Sequence, residues 1–224
     1  MKCTQQIKQT QIKRQKQYLI QKDNLFKVLC TLASCRSIIQ SSKAIRERIY
    51  TPVQTILSFI RQVLSEDKSC SKAVIQLASS RCMSGAKAIS ILTGGYVKAR
   101  QRLSEETLHE LVCAVGDESL NDVPMEWKAF GRDVMVCDGT TLDMPDTDAN
   151  KALFPSHHNG KRAIGFPLAR LVAVMSLATG SIIDYAIDAF RGKGTGEIAL
   201  LRSILSCLKE QDILIADRLY CNFF

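Results

Sequence analysis

From Asp133 onward, short apolar runs are separated by polar, glycine-containing connections, the pattern of strands and turns rather than of long helices. Asp133 to Cys137 reads as a first short β run, ending on Asp138-Gly139-Thr140-Thr141. A polar stretch rich in Asp, Pro, His and Asn leads to a second run at Leu171-Val172-Ala173-Val174-Met175. Ala178-Thr179-Gly180-Ser181 has the composition of a hairpin turn, and Ile182 to Ala189 makes a third strand with Ile183, Tyr185 and Ile187 expected on one face. Gly192-Lys193-Gly194-Thr195-Gly196 then opens a helix over about Glu197 to Leu208, where Ile198, Leu201, Ile204, Leu205 and Leu208 recur at helical spacing. Asp212 to Ala216 is the last run. The predicted order is β-β-β-α-β, and a right-handed crossover brings the fourth strand back parallel to the first.

Upstream the period changes to that of helices. Leu19, Leu25, Phe26, Leu29, Leu32 and Ala33 form an amphipathic face, and Thr51-Pro52 is an apt helix start ahead of Val53, Ile56, Leu57, Ile60 and Leu64. Shorter helical pieces are expected at Ser71 to Ser79 and Ala86 to Leu92. Ser104-Glu105-Glu106 caps a helix carrying Leu108, Leu111, Val112 and Val115. A polar stretch from Gly116 to Pro124 is the expected boundary, giving a helical region over 1–120 and a mixed α/β (α+β) region over 121–224.

Charge adds a direction to this division. The chain of 224 residues has a formal net charge of +8. Residues 1–50 hold eleven Lys/Arg against Asp23 and Glu47, so the front alone accounts for the excess. Clustered basic charge is the footprint of phosphate-backbone binding, and a solvated basic face is the plain alternative. Tyr96-Val97-Lys98-Ala99-Arg100-Gln101-Arg102 places three more cations beside an aromatic ring, with surface charge over a packed Tyr96 as the alternative there. The nine cysteines are odd in number and form no Cys-x2-Cys pair, which suits reduced core thiols and a cytoplasmic compartment. The basic start runs into Gln and Lys rather than an apolar stretch, so no signal peptide is expected, and no apolar run is long enough to span a bilayer.

The candidate chemistry lies in two carboxylates, Asp138 and Asp217, each following a short apolar run and separated by the intervening strands and helix. Carboxylates at the tips of neighbouring buried strands suit hard divalent cations, the usual apparatus of phosphodiester cutting and joining. Asp143 and Asp146 are expected to follow the turn after the first run and so to be decoys. His157 and His158, with Asp143, Asp146 and Asp148, lack a ligand spacing such as His-x3-His and read as solvated loop residues. The Gly192 to Gly196 segment is not a phosphate-binding P-loop. It either seats a DNA phosphate at the helix start with help from Lys193, or is a flexible connection.

Four spaced blocks carry a family likeness. They are Val136-Cys137-Asp138-Gly139-Thr140-Thr141-Leu142-Asp143-Met144-Pro145-Asp146-Thr147, Gly165-Phe166-Pro167-Leu168-Ala169-Arg170-Leu171-Val172, Gly192-Lys193-Gly194-Thr195-Gly196-Glu197, and Leu214-Ile215-Ala216-Asp217-Arg218-Leu219-Tyr220-Cys221. In this order they resemble the DDE transposases of bacterial insertion sequences, of the insertion-sequence-4 type. The resemblance implies a ribonuclease-H-like mixed sheet preceded by a helical DNA-binding region. It aligns Asp138 with the first catalytic, metal-binding aspartate, Asp217 with the second, and Arg218 with the basic residue that follows. It further implies that the Tyr96 to Arg102 block, with Lys98, Arg100 and Arg102, helps grip the transposon end. Implied too are Mg²⁺ or Mn²⁺, two ions in the intact enzyme, and double-stranded DNA as partner. The family's third carboxylate belongs to a Tyr-x2-Arg-x3-Glu-x6-Lys signature that this sequence lacks. The expectation is therefore a truncated, nucleoid-associated transposase that binds DNA as a homodimer or paired with the full-length enzyme. The alternative is a catalytically inactive product that inhibits transposition. A hairpin intermediate at the transposon end is implied by analogy alone.

Overall fold

The computed structural model describes residues 49–121, 123–159 and 162–221. The expected amphipathic face at Leu19 to Ala33 and the basic front of the chain lie outside the described residues. The chain divides into two compact units, with the division between Leu111 and Val112.

The first unit is helical: α1 (Pro52–Leu64), α2 (Cys70–Met83), α3 (Gly94–Arg100) and the opening turns of α4 (Glu105–Leu120). Thr51 caps α1 by accepting from the Gln54 N–H at 3.2 Å, and Pro52 at the first position loses no hydrogen bond. Ser69 caps α2 in the same way, accepting from Lys72 N at 3.1 Å. The helices meet around Ile56, Val74, Leu77, Tyr96 and Ala99, all buried. Tyr96 is wholly buried, so its hydroxyl must find a partner, and it donates to Gln62 Oε1 at 2.8 Å. The helix expected at Ala86 to Leu92 does not form; that segment is irregular. Gly85, at φ +72°, closes the end of α2, and Ile91 and Leu92 remain 64% and 76% exposed. So short a helix cannot offset its nucleation cost without an apolar face to bury.

The second unit is a mixed sheet with helices against one face. Its strands are β1 (Val134–Asp143), β2 (Ser156–Asn159), β3 (Arg162–Ser176), β4 (Ile182–Ala189) and β5 (Ile213–Ala216). The main order is β4-β3-β1-β5, with β2 paired to the leading part of β3. β3 runs antiparallel to its neighbours β4 and β1, and β5 lies parallel to β1. The helix α6 (Glu197–Ile204) carries the chain from β4 to β5, and the short α5 (Asp148–Leu153) follows β1. One core holds this face together: Met135 and Cys137 of β1, Val172 and Val174 of β3, Ile183 of β4, Leu200, Leu201 and Ile204 of α6, and Leu120 of α4.

Four expectations are corrected by pairing that composition does not reveal. The first strand does not stop at Cys137; it continues through Gly-Thr-Thr to Asp143, because β3 extends alongside it as far as Leu168. Asp138 is thus inside β1, and Asp143 ends the strand rather than following a turn. His157 and His158 lie in β2 rather than in an irregular loop, held by backbone pairing to Ala163 and Ile164. Ile183, Tyr185 and Ile187 do not share a face. The register shifts between Val174 and Met175, so Ile183 enters the core while Tyr185 and Ile187, opposite Ala173 and Leu171, lie on the other side. Finally, the stretch from Gly116 is not a linker at its start, since α4 continues to Leu120, a core residue. No helix of the described residues is long and apolar enough to cross a membrane.

Candidate active site

β1 meets β5 over only four residue pairs, from Val134↔Ile213 to Cys137↔Ala216. Asp138 and Asp217 are the next residue of each strand. Neighbouring strands lie about 4.8 Å apart, so the two backbones part from the ladder side by side. Strand alternation then decides where the Asp138 carboxylate goes. Met135 and Cys137 face the core, as do Leu214 and Ala216. Asp138 therefore projects from the opposite face, together with Val136 and the 49% exposed Ile215, while Asp217, one residue beyond the end of β5, accepts from the Leu219 N–H through Oδ1 at 3.4 Å. Both aspartates are exposed, and among the described residues neither is engaged in an ion pair. The Gly139 N–H donates to Asp138 Oδ1 at 2.8 Å, and the Tyr220 N–H donates to the backbone carbonyl of Asp217 at 2.9 Å.

The pair offers hard oxygen donors of the kind Mg²⁺ and Mn²⁺ take. Among the described residues, no third His, Cys, Asp or Glu forms with either aspartate a group whose ligand atoms all lie within 4.8 Å. Asp143 is an odd number of residues from Asp138 and so belongs to the other face. Asp146 is ion-paired with Lys151 at 2.9 Å.

Directly behind Asp138 the structure holds a polar cluster that the pattern of the sequence did not announce. Gly139 leaves a gap into which two side chains reach: a Cβ there would stand 2.8 Å from Glu197 Cδ and 2.9 Å from the Tyr220 hydroxyl oxygen. Tyr220, 4% exposed, donates to Glu197 Oε2 at 3.2 Å. Burial, then the neighbouring Cys137 and the charge of Glu197, push its phenol up, so it stays protonated as a donor. Cys137 is pushed up to about 11, by burial first and then by the charge of Asp138. Glu197 Oε1 faces Arg170 Nε at 3.8 Å, a Coulombic contact too long for a hydrogen bond. Arg170 instead donates through Nη1 to the Thr195 carbonyl at 3.0 Å and stacks on Phe190 at 4.6 Å. A glycine inside a strand is itself a signal of close approach, and Gly139 was the clue available in the sequence.

The expected DNA-contacting residues separate into two kinds. Lys98, Arg102, Lys193 and Arg218 are exposed. Arg100 is not free: its guanidinium lies 4.6 Å above the Phe59 ring and 5.8 Å from Tyr96, and donates to Cys70 Sγ at 3.8 Å. Lys193 sits in the loop before α6, which is closed by Thr195 Oγ1 donating to the Gly192 carbonyl at 3.2 Å. The first residue of α6 is Glu197, so a carboxylate already answers the positive end of the helix where a phosphate was one expectation. No family model matches the chain, and neither does a curated protein or a solved structure.

Proposed function

We propose that this chain is part of a DNA transposase of the DDE type, in which a ribonuclease-H-like sheet presents Asp138 and Asp217 to divalent cations for cutting and joining DNA strands. The observation that carries the reading is that both aspartates, each exposed, directly follow the last pair of the parallel β1–β5 ladder. The order of antiparallel β4, β3 and β1 followed by parallel β5 after a helical crossover supports it, since that is the strand plan such a fold requires. Mg²⁺, when held there, supplies the charge that activates a water or a 3′-hydroxyl for attack on a phosphodiester. Asp138, whose Oδ1 accepts from the Gly139 N–H, and Asp217 are the residues that would hold it. The exposure of Arg218, adjacent to Asp217, and of Lys98 and Arg102 in the helical unit leaves these cations accessible, and on this reading they meet DNA phosphates.

Two carboxylates do not suffice to place two ions for in-line attack, and catalysis falls steeply with misplacement. The 224-residue chain is therefore expected to bind duplex DNA and Mn²⁺ but to leave a cognate transposon end uncut. Appending the segment that bears the third carboxylate from an insertion-sequence transposase should restore cleavage, and Asp138→Ala or Asp217→Ala should abolish it in that chimera. A purely DNA-binding or transposase-pairing product predicts no gain in the chimera. Cleavage by the unextended chain, lost in either alanine variant, would show that another carboxylate of this chain completes the site.

A further inference from the structure

We propose that Glu197, Tyr220 and Arg170 are positioning residues that hold Asp217 beside Asp138 from behind the sheet. The proposal rests on the metal-binding reading for its consequence, though not for its geometry. The β1–β5 ladder ends at Cys137↔Ala216, so the pairing that aligns the strands stops one residue short of both aspartates. Something else must fix Asp217. It starts the tight turn Arg218–Cys221, in which the Tyr220 N–H returns to the Asp217 carbonyl at 2.9 Å. Tyr220 in turn is anchored twice: its ring is in the core of the sheet, and its hydroxyl reaches under Gly139 to Glu197 at 3.2 Å. Arg170, from β3, faces the same carboxylate and grips the Thr195 carbonyl two residues before it.

The cluster thus joins four separate segments: β1 at Gly139, β3 at Arg170, the head of α6 at Glu197, and the turn after β5 at Tyr220. Gly139 adjoins Asp138, Tyr220 is three residues from Asp217, Glu197 accepts from Tyr220, and Arg170 faces Glu197. Metal ligands must be placed to within about 0.5 Å, and this requires supporting contacts that do not themselves touch the ion. By strand alternation Gly139 faces the core side, away from the carboxylate of Asp138, which assigns Glu197 to support rather than to ligation.

The test uses the 224-residue chain and two readouts: Mn²⁺ affinity by electron paramagnetic resonance of the free ion, and amide hydrogen exchange. Tyr220→Phe keeps the ring and removes the hydroxyl. It should lower the melting temperature by no more than about 4 °C. It should weaken Mn²⁺ binding by about tenfold and speed exchange of the Tyr220 amide by about as much. Glu197→Gln keeps an acceptor for Tyr220 and should leave both readouts near the parent values, whereas Glu197→Ala should reproduce Tyr220→Phe. If Tyr220→Phe leaves the exchange of that amide unchanged, the positioning role is overturned whatever the metal does. If the exchange quickens but the parent shows no Mn²⁺ binding dependent on Asp138 and Asp217, the positioning role stands and the metal-binding reading falls.

Discussion

Replacing Gly116 by alanine sets two well-known effects against each other. Within a helix, alanine is favoured over glycine by about 1 kcal/mol, so the helix taken alone predicts stabilisation. The structure predicts the reverse. Gly116 is where α4 lies on β4, and a Cβ there would stand 2.2 Å from the Ile182 carbonyl oxygen, 2.9 Å from Ile183 Cα and 3.0 Å from Ile182 C. Favourable contacts for carbon begin near 3.5 Å, so the helix would have to withdraw by roughly 1 Å. All three obstacles are backbone atoms, and no rotamer change can relieve them. Withdrawal would also loosen Leu120 in the shared core. Overpacking costs about 1–3 kcal/mol, and a clash with backbone belongs at the top of that range. Offsetting the helix gain leaves about 2 kcal/mol of destabilisation, a fall of about 4–8 °C in melting temperature for a chain of this size. Gly94→Ala, in α3 with nothing within 4 Å of its Cβ, is the control and should melt at or slightly above the parent. Should Gly116→Ala melt as high as Gly94→Ala, the close approach of α4 to β4 is wrong.

Gly139→Ala should cost about 1–2 kcal/mol by urea denaturation, less than Gly116→Ala because Glu197 and Tyr220 are side chains able to yield, while weakening Mn²⁺ binding. Cys137 and Cys207 are pushed up to about 11, and Cys113 to about 12, each by burial first, from 9.0. Because these folded values are raised, the stability they confer is complete below pH 9 and is lost as pH climbs toward 11; urea midpoints should hold to about pH 8.5 and then fall, by up to about 1.4 kcal/mol per pH unit for Cys137 alone, and a flat profile to pH 10.5 would contradict the burial. Neutralising Lys98 and Arg102 together should flatten the salt dependence of DNA binding by up to about 2 units, and an unchanged slope would leave them a solvated face. Arg100→Ala should instead lower the melting temperature, by an amount matching about 1–2 kcal/mol, since its cation is spent on Phe59 and Tyr96.

What could be read in advance follows from where the determining interactions lie. Ile182 to Ala189 and Thr51-Pro52 were legible because alternation and capping are local, and the structure places β4 and the head of α1 there. The continuation of β1 through Gly-Thr-Thr was not, because those residues have turn composition and owe their extended form to β3. The bulge at Ile183 and the loss of Arg100 to an aromatic clamp depend equally on distant partners. At the site, the two aspartates stood out because each follows an apolar run. Glu197 and Tyr220 did not: one looks like an ordinary first-turn acid and the other like one more core aromatic, and only their meeting beneath Gly139 distinguishes them.

The four-pair ladder between β1 and β5 also governs the order in which the molecule can assemble. Its partners, such as Val134 and Ile213, are almost eighty positions apart along the chain. The antiparallel hairpin of β3 and β4 closes locally, through the turn at Ser176 to Ser181. The parallel pair can form only after the long loop containing that hairpin and α6 has been drawn shut, and the entropy of closure precedes any reward from so few hydrogen bonds. The two aspartates are therefore brought together late, by contacts absent from the early-folding hairpin. A nascent chain carries no assembled acidic pair until β5 emerges and docks, and the presence of that pair reports that β5 has joined the sheet.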